Sequence, residues 1–213
     1  MQSITNMSCR ASHICHVERS RDICHSTVIP SDRRESRYLL IYNYMKEINI
    51  EERVAKAKRL FKEEGYNCCQ AVVLAYNDLF GLSDELAASI SSGFGGGMGR
   101  MREVCGSVSG MVLLAGLISP ASDPSIKSGR TSNYALVQDM AASFKELNGS
   151  IVCKELLGLV PMGSGAPAAK ESPEPSDRTP EYYKKRPCEE LVGISARIVG
   201  TKIMEMFKKR SDF

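Results

Sequence analysis

Eight cysteines, at positions 9, 15, 24, 68, 69, 105, 153 and 188, are the residues of this sequence with the most chemistry to offer. A thiolate is at once a nucleophile, a redox centre and a metal ligand. Histidine, its usual partner in hydrolases, stops early: His13, His16 and His25 all lie in the first 25 residues, which argues against a Cys-His hydrolase in the rest of the chain. Cys68 and Cys69 are adjacent, and neighbours on a helix point about 100° apart, so the two cannot serve one partner. No CxxC pair occurs, so local spacing identifies neither a zinc ribbon nor a thioredoxin-like motif. Position along the helices is more informative. Cys68 follows Asn67, a plausible N-cap; Cys153 lies in the first turn after Ser150; Cys188 follows Pro187, a residue suited to the first helical position. Free N–H groups and positive partial charge at a helix start favour thiolate over thiol. Cys105 stands near the start of an apolar helix, close to Arg100 and Arg102. Any one of these thiols alone reads as a small packing residue. The four together point to a shared redox or metal role.

The elements that must position them are helices. Val54, Ala57, Leu60 and Phe61 recur at helical spacing and end near Gly65. A second helix is expected over 68–80, with Val72, Ala75, Tyr76 and Leu79 on the face of Cys68, and Ser83 starts a short one through Ser91. The run "GFGGGMGR" at 93–100 breaks the chain, and "VCGSVSGMVLLAGLI" at 104–118 reads as a central buried helix. After a loop from Pro120 to Gly129, the residues Tyr134, Val137, Ala141, Phe144 and Leu147 mark a helix ending before Gly149, and Ser150 is the expected cap of "IVCKELLG". Residues 159–187 hold six of the nine prolines and read as a long surface loop, either a lid or an excursion, before a last helix from about Pro187 to Lys209. No strand alternation and no internal repeat is visible. The class is all-α, a single compact bundle of about five to seven helices over residues 45–213.

Residues 1–44 stand apart. Their apolar periodicity is poor, and the clusters "SHICH" and "DICH" fit no usual zinc-finger spacing. The segment is expected to be a disordered or non-native extension, with translation starting at Met45. Removing it leaves 22 basic against 21 acidic residues. The whole chain carries a net charge of only +3, which gives no footprint for nucleic acid or an anionic membrane. No stretch reaches 18 apolar residues and no signal pattern opens the chain, so a cytoplasmic protein is expected.

The glycine run invites a nucleotide-binding reading that fails in detail. Met98 and Arg100 occupy the positions where a third glycine of GxGxxG would stand, no strand precedes and no Walker lysine follows. The run reads instead as a tight turn between packed helices, with Gly106 and Gly110 allowing close approach, or as bare backbone that gives a ligand access to Cys105.

"NCCQAVVLAY", "GFGGGMGRMREVCGSVSGMVLLAGL", "CKELLG" and "RPCEELV", in that order, resemble the C-GCAxxG-C-C family of redox-active proteins from about residue 50 to 207. The resemblance implies a helical domain with four characteristic cysteines, here Cys68, Cys105, Cys153 and Cys188. It also implies that Cys69 replaces a small apolar residue at a packing position. The central motif departs mildly, with Ser107 where alanine is usual. Three functions stay open: thiol–disulfide exchange or electron transfer, with an oxidoreductase activity unsettled; a zinc or iron–sulfur protein with the same four cysteines as ligands; and a structural module with inert thiols. For exchange, Cys68 with Cys105 and Cys153 with Cys188 are the expected pairs, and Glu103, water or a partner supplies acid–base work. The partner would be a redox protein or a small thiol, the cofactor is open between none, zinc and an iron–sulfur cluster, and the apolar helix at 104–118 suits a homodimer core as well as a monomer core.

Overall fold

Asn49 opens the first helix by accepting hydrogen bonds on its side chain from the backbone of Glu51 and Glu52, which satisfies two of the free N–H groups at a helix start. The computed structural model describes residues 48–211, apart from Ala168 and Lys170. The expectations for residues 1–44 lie outside it. Among the described residues eight α-helices follow in order: α1 (Ile50–Lys62), α2 (Cys68–Leu74), α3 (Asp84–Ser91), α4 (Gly106–Ile118), α5 (Lys127–Asn148), α6 (Cys153–Leu156), α7 (Pro180–Lys184) and α8 (Cys188–Ser211). The class is all-α, and among the described residues no strand forms. The chain's one departure from helix pairing there is an isolated antiparallel bridge between Val104 and Val152.

The long α8 packs along α1, and α2 packs on α4. Between α2 and α4 two glycines set the distance. A Cβ on Gly106 would stand 2.9 Å from the Phe94 carbonyl oxygen, and one on Gly110 would stand 2.9 Å from Val72 Cβ. The core beneath holds Phe61, Tyr76, Met111, Phe144 and Ile203, all nearly inaccessible. The Tyr76 hydroxyl, which burial would otherwise strand, donates to the Ala196 carbonyl at 2.7 Å and so ties α2's end to α8.

The element boundaries differ from the expected ones where backbone chemistry intervenes. The helix from Cys68 stops at Leu74, and residues Asn77–Phe80 form a 3₁₀ turn closed by Gly81 in the left-handed conformation. α5 starts at Lys127, several residues early, because a turn in which Ser125 N–H donates to Asp123 precedes it. Ser150 accepts from Val152 N–H but caps a turn, not α6, because residues 102–105 pair with 151–154: Cys105 N–H donates to Ile151 O at 2.8 Å and Cys153 N–H to Glu103 O at 2.6 Å. No helix among the described residues is long and apolar enough to cross a membrane.

Candidate functional site

Four segments deliver one cysteine each to a single cavity. Asn67 forms a full capping box with Gln70 and thereby fixes the first turn of α2, which carries Cys68. Cys105 and Cys153 lie on either side of the Val104–Val152 bridge, so they are diagonal neighbours on one face of a minimal ribbon. Cys188 is the first residue of α8. All four line the same cavity, of about 50 Å³. Cys105, Cys153 and Cys188 are buried, and Cys68 is partly exposed. Cys69 points elsewhere. It is fully buried in the core and absent from the cavity lining, which agrees with its expected packing role, and burial pushes its thiol up to about 12.

The glycine run wraps under this cavity in an unusual winding. Six of the seven residues from 96 to 102, Met98, Arg100 and Arg102 included, have positive φ between 58° and 74°. For residues with a Cβ each such conformation costs about 1–2 kcal/mol. The turn is held by backbone bonds from Arg102 N–H to Gly96 O and Glu103 N–H to Gly97 O. It also leaves no space: a Cβ on Gly97 would lie 2.7 Å from Cys153 Cβ. Bare backbone does border thiols, but not the Cys105 that the sequence suggested: it meets Cys153 at Gly97 and Cys68 at Gly106, where an added Cβ would stand 3.1 Å from Cys68 Cβ.

The long loop is a strap across the site. Glu171 pairs with both Arg100, at 3.0 Å, and the buried Arg102, and Arg100 also donates to Ser172 O at 2.8 Å. Arg178 donates to the carbonyls of Phe61 and Tyr66, both at 2.9 Å, and lies over the Phe61 ring. Thr179 caps α7 through Tyr182 N–H, and Arg186 stacks on Tyr182. Arg102, Arg178, Tyr182 and Arg186 all line the cavity, and among the described residues no carboxylate does. Of these four, sequence reasoning placed only Arg102 near a thiol, and it sent that arginine to Cys105. Its contact is with Cys153. The signal for Tyr182 and Arg186 was the cationic run "YYKKRP" immediately before Cys188; Arg178 lies outside that run and carried no such signal.

The thiols do not share one electrostatic fate. Cys68 and Cys188 interact as a hydrogen-bonding pair, which raises Cys68 and lowers Cys188. Burial opposes the fall at Cys188, and the guanidiniums of Arg186, Arg102 and Arg178 reinforce it. Burial pushes Cys105 up against its contact with Ser107, whose hydroxyl lies 3.3 Å from the sulfur. Burial, with Cys105 nearby, pushes Cys153 up to about 12 despite Arg102. The expectation that all three helix-start thiols favour thiolate is therefore corrected. Cys68 is held up by Cys188 and burial, and Cys153 by burial and Cys105, whereas Cys188 has Cys68 and three guanidiniums to set against its burial. Glu103 is exposed and pairs with Lys154, outside the cavity lining, so it is not placed for acid–base work at the thiols.

Although four cysteines converge, among the described residues no group of three or more Cys, His, Asp or Glu side chains is arranged to hold a metal ion. As they stand the thiols do not fit a zinc or iron–sulfur ligand set.

An all-helical domain with four cysteines on one small arginine-lined cavity is thus the class of protein this fold and site define. A family model described as "Putative redox-active protein (C_GCAxxG_C_C)" matches residues 66–202. The chain belongs to the C-GCAxxG-C-C family, as the order of its four cysteine motifs implied. No curated protein and no solved structure matches it significantly.

Proposed function

We propose that the protein is a dithiol redox protein in which Cys188 attacks and Cys68 resolves. The observation that carries this reading is the convergence of four distant cysteines on one cavity, with Cys188 favoured as thiolate by Cys68 and three arginines. The Cys188 thiolate attacks one sulfur of a substrate disulfide and forms a mixed disulfide, expelling the first substrate thiolate. Cys68 then loses its proton to solvent and attacks the Cys188 sulfur, forming the Cys68–Cys188 disulfide and expelling the second. One substrate disulfide becomes two thiols, and two protein thiols become one disulfide.

This pairing differs from the one expected from sequence order, because Cys68 interacts with Cys188 and not first with Cys105. Cys105 and Cys153, neighbours across the ribbon, form the second couple. Mild oxidation of the reduced chain, followed by peptide mapping, tests the reading. The expected result is loss of two hydrogens in a Cys68–Cys188 linkage that reductant reverses. Uniformly slow alkylation of all four thiols in metal-free reduced protein sinks it. A native mass that includes zinc or an iron–sulfur cluster, lost in Cys105→Ser, replaces it with a metal site.

A further inference from the structure

The charge and size of the cavity say more about the substrate than the thiols do. Arg102, Arg178 and Arg186 line it, and a guanidinium stays charged at any working pH. Glu171 answers Arg102 and Arg100. Among the described residues, neither Arg178 nor Arg186 pairs with a carboxylate: Arg178 spends its hydrogens on backbone carbonyls, and Arg186 lies on a ring. Arg186 feels Glu171 only through space, without an ion pair, and no carboxylate among the described residues lines the cavity itself, so the two cations facing it attract anions. The space is also small. About 50 Å³, where about 10–15 Å³ holds one water, admits a few heavy atoms. A disulfide-bearing loop of a folded protein does not enter such a cavity under a strap.

We infer that the substrate of this cavity is a small anion, whose reacting atom reaches Cys188 and whose charge is met by Arg178 and Arg186. The inference rests on the thiol reading above. The exchange described above breaks a sulfur–sulfur bond, so the substrate is a low-molecular-weight disulfide whose charged end takes this seat; an inorganic oxyanion would occupy the same cations as a competitor and not react. A surface groove continues outward from the cavity past Leu157, Tyr182 and Arg186; it adds Leu159, Thr179, Lys185 and the carboxylate of Glu181, so the remainder of a longer ligand has room there but meets both charges.

The test compares two alkylating agents that differ in charge, iodoacetate and iodoacetamide, on the full reduced chain at one pH. Taking the ratio of their rates cancels the thiolate fraction. The adduct is located by peptide mass, and N-acetylcysteine is run in parallel. The expected result is an iodoacetate/iodoacetamide ratio at Cys188 or Cys68 about tenfold above that of N-acetylcysteine. Arg186→Gln should lower it about fivefold and Arg186→Lys restore most of it, as expected for a nearby cation. If the thiols are labelled at the N-acetylcysteine ratio, the anion inference falls while the redox reading stands. If neither reagent labels them, the redox reading falls and takes the inference with it. Sulfate and oxidised glutathione then test the seat and the substrate separately at ionic strength matched with chloride. Protection by sulfate shows the anion seat, rapid oxidation by glutathione disulfide shows a small disulfide as substrate, and the absence of both effects overturns the inference.

Discussion

The helix-borne couple, Cys68 and Cys188, and the ribbon-borne couple, Cys105 and Cys153, share one cavity and differ in almost everything else. The first couple sits at the starts of α2 and α8, beneath cations supplied by the strap. The second is set by backbone pairing and by a glycine turn that tolerates no side chain at Gly97. What separates them is the source of order. Side-chain charge tunes Cys188, so it responds to substitution, whereas covalent geometry and close packing fix Cys153, so it responds to strain. A cysteine's environment, more than its place at a helix start, decides its reactivity.

The largest expected effect breaks the comparison at its chemical end. Cys188→Ser should slow the fast phase of iodoacetamide labelling at pH 7 by about tenfold, because burial still raises Cys105 and Cys153, and Cys68 as well once the contribution of Cys188 to it is gone. Cys105→Ser should leave that phase nearly unchanged, and equal losses in the two variants would erase the distinction. At the structural end, Gly97→Ala forces a Cβ against Cys153 in a left-handed conformation and should cost about 2–3 kcal/mol in denaturant unfolding. Gly158→Ala also sits at positive φ but meets nothing within 4 Å, so about 1 kcal/mol is expected there. A smaller effect should come from the strap. Glu171→Gln removes the shared anion of Arg100 and Arg102, and labelling of Cys153 should rise by about threefold as the strap opens more often.

The pH dependence sharpens the same contrast. Cys69 and Cys153, each held near 12, contribute stability that is fully present below the unfolded thiol range near about 9. As pH rises from there towards 12, the unfolded chain ionises while the folded one resists, so stability falls by up to about 1.4 kcal/mol per pH unit for each thiol. Denaturant midpoints at pH 8 and pH 10 should show this fall, and Cys69→Ala should make it shallower. Cys188 works in the other direction: its lowered value contributes stability at and above the unfolded range that is lost as pH drops through the folded one.

Much of this was legible in the chain itself. Asn67 and Ser83 cap where they were expected to, the apolar run at 106–118 is the central helix, and the four family cysteines meet. These signals are local, or come from motifs in fixed order. The ribbon at 102–105 and 151–154 was not legible, because one bridge pair leaves no alternation to read. Nor was the partnership of Cys68 with Cys188, since 120 residues separate them and only tertiary packing brings them together. The strap was visible as prolines and a basic run, but nothing local tells Arg178 to seek the carbonyls of Phe61 and Tyr66.

The turn from Gly96 to Arg102 has a consequence of handedness. Its winding is the mirror image of the one L-amino acids prefer, and Met98, Arg100 and Arg102 each occupy it against their own chirality. Mirror-image residues installed there by chemical synthesis should suit the turn better than the natural ones. D-methionine at 98, an exposed side chain, is the mildest such exchange, and it should raise the melting temperature, whereas D-residues within the right-handed helices should lower it.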